Sequence, residues 1–261
     1  MPFRLSDAVI FRPPLYRIRP TPRPMTEERP MTEKPLLPPG VTRTMFHVKP
    51  RTRRLHLFDL DGTLIRGSAA AVEISRQLDL VEEIAALEEG FLRGLMPDEF
   101  AVQARELWSA LTLEQVAAAF EGAPWLAGIR EVWADIRARG ERCAVISLSP
   151  DFFVERLLDW GVDSTHGSLW PAVPFTEPIH RPGILDARAK VRIARELCAG
   201  YGVDPADCVA YGDSMSDAEL FAIVPETVAV NADHHLAGLS RHSYSGGDLR
   251  EAYALVRNSA A

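Results

Sequence analysis

The chain has 261 residues, 47% of them apolar, with a formal net charge of −7, which suits one catalytic domain with an insertion rather than two large domains. The charge is uneven. Residues 1–50 hold nine Lys/Arg against four Asp/Glu, which leaves −12 for the remainder, and an acidic body argues against nucleic acid as a partner.

Residues 1–50 contain 11 of the 20 prolines and show no apolar periodicity. Such a segment cannot bury enough surface to offset the entropy of ordering, so it is expected to be a disordered Pro/Arg-rich tail. Two other readings stay open: a basic arm for an acidic partner, and sequence ahead of an internal start at Met45. The segment lacks the apolar core of a secretory signal. No run anywhere approaches the ~18 apolar residues of a membrane span.

Leu55–Arg66 reads LHLFDLDGTLIR. Its first four residues form a short apolar run bounded by glycine, the pattern of a buried parallel strand. His56 within it is expected to be packed and hydrogen-bonded. Asp59 and Asp61 follow, then Gly62 and Thr63. Ligand sites in open α/β sheets lie outside the carboxyl ends of strands, so both carboxylates are expected at the sheet rim. Two acids this close are costly unless a cation or a proton sits between them. Asp61-Gly62 alone is equally consistent with a plain turn.

From Ala69 to Phe120 the pattern is helical. Pro97 suits the first turn of a helix, Thr112–Gln115 is a capping-box pattern, and Gly122-Ala123-Pro124 breaks the run. A helix from about Leu126 to Arg139 stops at Gly140. Trp108, Trp125 and Trp133 sit at helical spacings and are expected in the core. The second half alternates: strand Arg142–Leu148, helix Asp151–Asp159, a short segment at Ser164–Leu169, a loop at Trp170–Gly183 with four prolines, helix Ala187–Ala199 carrying Lys190, strand Val209–Tyr211, helix Asp217–Ile223 and strand Thr227–Val230. Strand–helix alternation implies right-handed crossovers and a parallel sheet. CAVISLS, Cys143–Ser149, ends in hydroxyls. CVAYGDSMSD carries Asp213 and, four residues on, Asp217. His234 and His235 read as exposed loop imidazoles, with a metal pair as the alternative. Cys143, Cys198 and Cys208 are odd in number and lack metal-type spacing, so they read as reduced, buried thiols of a cytoplasmic protein.

The order strand-DxDGT, strand-Ser, helix-Lys, strand-GDxxxD resembles the haloacid dehalogenase superfamily of phosphohydrolases, and within it the phosphoserine-phosphatase-like group, over roughly Leu55–Val256. The resemblance implies an α/β fold: a Rossmann-like parallel sheet with helices on both faces and a small α-helical cap inserted after the first strand. The corresponding division is a tail at 1–50, a catalytic core at 51–67 and 126–261, and a cap at 68–125. It further implies that Asp59 is the nucleophile, forming an aspartyl-phosphate that splits one difficult displacement into two easier ones. Asp61 is implied as the general acid and later base. Mg²⁺ is the implied cofactor, a hard cation that takes oxygen ligands, held by Asp59, Asp213 and the backbone carbonyl of Asp61, with Asp217 orienting metal-bound water or Lys190. Gly62, Thr63, Ser147, the Leu148 amide and Lys190 are implied phosphate contacts.

In that group a Glu nine residues after the nucleophile reads the substrate amine, and here Ser68 stands there. A cap arginine reads the substrate carboxylate, and Arg105 falls at a matching position, so acidic substrates without an amine are expected. An acid at Asp61 sets the chain apart from dehalogenases, which lack one, and from P-type ATPases, which carry lysine. The implied activity is hydrolysis of a small organic phosphomonoester. A phosphomutase or phosphotransferase of the same fold, and a catalytically silent phospho-ligand-binding regulatory protein, are the competing readings.

Overall fold

The computed structural model describes residues 54–257; the expected tail at 1–50 lies outside them. β1 (Leu55–Phe58) is buried along its whole length, as befits a strand with neighbours on both edges and helices on both faces. It pairs in parallel with β2 (Arg142–Pro150) on one side and β4 (Cys208–Gly212) on the other. With β3 (Ser164–Ser168), β5 (Glu226–Val230) and β6 (His242–Tyr244) these make a six-stranded parallel sheet of order β3-β2-β1-β4-β5-β6. In this doubly wound order the chain reverses direction across the sheet beside β1, and the crevice at the carboxyl ends of β1 and β4 is where such sheets bind ligands.

The two faces carry separate cores. Leu55 and Leu57 face Ile193 and Leu197 of α7 (Ala187–Tyr201) together with Ala210. Phe58 belongs to the opposite core, with Val145, Tyr211 and Trp133 of α5 (Ile129–Ala138). The alternation is the period-2 geometry of a strand. Four helices lie between β1 and α5: α1 (Ala70–Arg76), α2 (Val81–Leu92), α3 (Pro97–Leu107) and α4 (Leu113–Gly122). Their apolar faces, including Ile74, Ile84, Ala104 and Trp108, are continuous with the α5-side core. The chain leaves and re-enters the sheet region through one seam, where Arg66 N–H donates to Pro124 O (2.9 Å) and Leu126 N–H to Leu64 O (2.9 Å).

Several boundaries differ from the sequence pattern. The helical run after Ala69 is broken by Asp79, which takes a left-handed φ of 57° between α1 and α2. The expected helix at Asp151–Asp159 is a four-residue α6 (Asp151–Val154) followed by a 3₁₀ segment to Trp160, closed by left-handed Gly161. α5 starts only after Gly128, also left-handed, so Trp125 is half-buried in the seam rather than on a helix. The expected helix at Asp217–Ile223 shrinks to α8 (Ala218–Phe221), preceded by a 3₁₀ turn. His234 and His235 are exposed, as expected, but open a short helix, α9 (His234–Ala237). β6 and α10 (Leu249–Arg257) close the fold. No described helix is long and apolar enough to cross a membrane.

Candidate active site

The Asp59 N–H donates to Tyr211 O (2.9 Å), which extends the β1–β4 pairing one step and fixes Asp59 at the rim. Its side chain is buried, and Oδ1 accepts from Lys190 Nζ (2.7 Å). Lys190 stands on the first turn of α7, whose N-terminus Asp186 caps through the Ala189 N–H. Its ammonium also donates to Asp217 Oδ1 (2.6 Å) and Ser216 Oγ (3.2 Å). Burial alone would lower the lysine pKa, but the Asp217 and Asp59 carboxylates reverse this and raise it. The result is a fully enclosed cation between two carboxylates, the one arrangement in which a charged group tolerates burial.

Asp213 follows β4 directly. Carboxylate oxygens of Asp59, Asp213 and Asp217 lie within 4.8 Å of one another. Burial, then the charge of Asp59, pushes Asp213 up to about 8 and Asp217 up to about 6. Asp217 Oδ2 is buried without a hydrogen-bond partner. An excess of buried negative charge with an unsatisfied oxygen fits a hard divalent cation, because oxygen ligands of this kind are what such ions take. Gly62 is tied to the same point: its φ is 75°, and a side chain there would overlap Asp213 Oδ2. Glycine is therefore required both for the turn and for the close approach of the carboxylate.

The Asp61 carboxylate points away from this group. Oδ1 accepts from the Ala70 N–H (2.7 Å) at the start of α1, and Oδ2 accepts from Ser147 Oγ (3.0 Å) and Ser149 Oγ (2.7 Å). Its carboxyl is thus separate from the three clustered aspartates and fixed by three donors.

A cleft of about 670 Å³ opens over these groups, lined by Asp59, Asp61, Gly62, Leu148, Lys190 and Asp213 among others. That size is typical of small-molecule sites. Some expected positions fall elsewhere. Thr63 is fully buried and is not part of the cleft wall, because it lies inside the turn closed by Leu64 N–H to Leu60 O (2.8 Å). The Ser147 hydroxyl is committed to Asp61 and to the Ser149 N–H (3.0 Å), also outside the wall. Arg105 is outside the cleft as well. From the last turn of α3 its Nε donates to Glu177 O (2.7 Å), and the guanidinium sits 5.8 Å from the Phe175 ring centroid. It ties α3 to the proline-rich loop, so the expected carboxylate contact is not made from this position. Ser149, Glu73, Arg76 and Glu88 line the cleft without having been singled out in the sequence.

A family model described as haloacid dehalogenase-like hydrolase matches residues 56–222. The phosphoserine phosphatase of Archaeoglobus fulgidus is 26% identical over 202 residues, 76% of this chain and 58% of that protein. Phosphoserine phosphatase SerB2 of Mycobacterium tuberculosis is 27% identical over 204 residues, 75% of this chain and 48% of that protein. The chain spans about half the length of these two curated relatives. A solved structure of a phospho-aspartyl intermediate analogue of phosphoserine phosphatase superposes with a TM-score of 0.67 at 24% identity, covering 78% of this chain and 99% of that one. That likeness is one of fold.

Proposed function

The chain belongs to the haloacid dehalogenase-like hydrolase family, and from that premise we propose that it is a Mg²⁺-dependent phosphatase that hydrolyses a small organic phosphomonoester through a phosphorylated Asp59. The observation that carries the reading is the buried Lys190 ammonium bridging Asp59 and Asp217, with Asp213 beside them at the crevice of the sheet.

In this reading residues 68–125 are a cap over a core made of 51–67 and 126–261. The Asp59 and Asp213 carboxylates, with the Asp61 backbone carbonyl, would hold the Mg²⁺, and Asp217 fixes Lys190. Bound Mg²⁺ supplies the positive charge that lets an anionic carboxylate approach an anionic ester. Lys190 holds Asp59 Oδ1, so the carboxylate is oriented before substrate arrives. A carboxylate oxygen of Asp59 attacks phosphorus as the bond to the ester oxygen breaks, and Asp61 gives its proton to that leaving oxygen. Ser147 and Ser149 suit both states of Asp61, because a hydroxyl can donate to the carboxylate or accept from the acid. Asp61 then takes a proton from water, the water oxygen attacks phosphorus, and the Asp59–phosphorus bond breaks to release inorganic phosphate. Gly62, the Leu148 amide and Lys190 are the phosphate contacts of this proposal. The three free, buried cysteines suit a reducing, cytoplasmic setting.

The test is phosphate release from a panel of phosphomonoesters by purified protein with Mg²⁺. Activity should vanish in EDTA and return with Mg²⁺, and beryllofluoride should inhibit. Asp59→Asn should lower kcat by at least about 10⁴, consistent with loss of a covalent nucleophile. Near-normal turnover by the folded variant would refute the assignment.

A further inference from the structure

The cleft is far larger than a phosphate, and away from the catalytic aspartates its wall has two characters. One is apolar: Phe91 and Phe100 meet edge to face with ring centroids 6.1 Å apart, and Trp108 and Trp170 stack at 5.2 Å. The other is anionic. Beyond Asp59, Asp61, Asp213 and Lys190, two acids, Glu73 and Glu88, line the cleft against one base, Arg76. Lys190 is already held by Asp59 and Asp217, and Arg76, the other cation of the cleft wall, lies against Glu73.

Glu73 lies on the helical side of the cleft, on α1. It is only 4% exposed. Its Oε1 accepts from Ser68 Oγ (2.5 Å), and the Ser68 carbonyl in turn accepts from the Gly62 N–H (3.0 Å). Glu73 also lies one turn along α1 from Ala70, whose N–H holds Asp61. Two independent links therefore register this carboxylate against the DxDGT loop. Its second oxygen, Oε2, makes a long contact with Arg76 Nε (3.3 Å), whose side chain is 56% exposed. That solvent-screened pair leaves much of the charge on a buried acid uncompensated. Glu88, on α2, faces the same space: burial first, and then the charge of Asp61, raise its pKa.

We propose that Glu73, assisted by Glu88, selects phosphomonoesters whose organic part carries a protonated amine on an apolar or aromatic body, and rejects those carrying a carboxylate. The phosphate enters beside Asp59, the ammonium reaches Glu73, and the apolar body lies on Phe91 and Phe100, which the buried Trp108–Trp170 stack backs. Aromatic faces favour a nearby cation and supply the burial that a small amino-alcohol phosphate could not use. This reverses the acidic-substrate expectation drawn from Arg105 and Ser68. It rests on the phosphatase reading above.

The experiment uses the full chain with Mg²⁺ and three esters that differ only at carbon 2: 3-phenylpropyl phosphate, its 2-amino derivative and its 2-carboxy derivative, with phosphoethanolamine as the small amine. The amine should exceed the unsubstituted ester in kcat/KM by about tenfold or more, the scale of one hydrogen bond to a charged group. The carboxylate should fall below the unsubstituted ester, and phosphoethanolamine below the phenyl amine. Glu73→Gln should collapse the amine-to-unsubstituted ratio to within about threefold. If that buried substitution prevents folding, Glu88→Gln, at a partly exposed position, should still reduce the ratio. Carboxylate preference, or a ratio unchanged in both variants, would overturn the proposal. Should none of the esters release phosphate, the phosphatase reading fails on its own terms. Calorimetric binding of the same three esters then decides the selectivity: tighter binding of the amine, lost in Glu73→Gln, supports it, and equal binding overturns it.

Discussion

Lys190 is enclosed by the fold and held by two carboxylates. Lys190→Met should destabilise the metal-free protein by about 3–5 kcal/mol, since removing one partner of a buried ion pair strands the others. Urea denaturation in EDTA measures this, and a loss under about 1 kcal/mol would show that Asp59 and Asp217 tolerate each other without it. Arg105→Ala should change kcat/KM for amine-bearing, neutral and acidic esters by one common factor, because its contacts are Glu177 and Phe175 rather than the cleft; a selective loss on acidic esters would restore the sequence-derived role. At this scale the sequence showed acids at fixed offsets from strand ends, Asp59, Asp213 and Asp217, which the structure brings together; Lys190, on a helix, was marked only by the family resemblance. The sequence did not show where an exposed-pattern helix residue finds its partner: Arg105 contacts a loop 72 positions away. Nor did it separate Ser147 from Ser149. Both hydroxyls reach Asp61 because residues two apart on a strand share a face.

Elements with strong local punctuation were legible. Thr112 accepts from the Gln115 N–H while Gln115 Oε1 accepts from the Thr112 N–H (3.0 Å), the reciprocal cap that the sequence announces at the start of α4. Thr112→Ala should cost about 1 kcal/mol, read as a lower urea midpoint at unchanged m-value. A negligible shift would mean that α4 is held by packing of Val116, Ala119 and Phe120 alone. β1 and α7 were legible for a similar reason, a glycine or an aspartate marking the boundary. Elements without such marks were not. β6 has three residues, none of them buried. α10 carries a readable signal, because Leu249, Ala252, Tyr253 and Val256 recur at helical spacing and are all buried. The 3₁₀ turn at Glu155–Trp160 has no sequence signature apart from its closing Gly161.

Across the whole molecule, acid sensitivity should come in part from His166 on β3. Burial, and then the Arg192 charge, lowers it to about 4 from the ordinary 6.5. Between those values the unfolded chain binds the extra proton and the folded one does not, so stability falls as pH drops from about 6.5 to about 4. The total is up to about 3 kcal/mol at ~1.36 kcal/mol per unit. His166→Gln should flatten that part of the pH–stability curve relative to the parent; parallel curves would contradict the assignment. The strand order has a temporal consequence as well. β1 is the first of the described strands to be synthesised, yet both of its partners come later, Leu55 pairing with Arg142 on one edge and with Cys208 on the other. On a ribosome adding roughly 5–20 residues per second, the stretch from β1 to β4 takes on the order of ten seconds or more. Until β2 emerges the DxDGT strand has no ladder to join, and until β4 emerges it has one, while the four helices that follow it are free to form from local contacts. The catalytic strand is therefore paired on one edge only until β4 emerges, and a pause or truncation before Cys208 would leave an apolar strand edge exposed for capture by chaperones or by other chains.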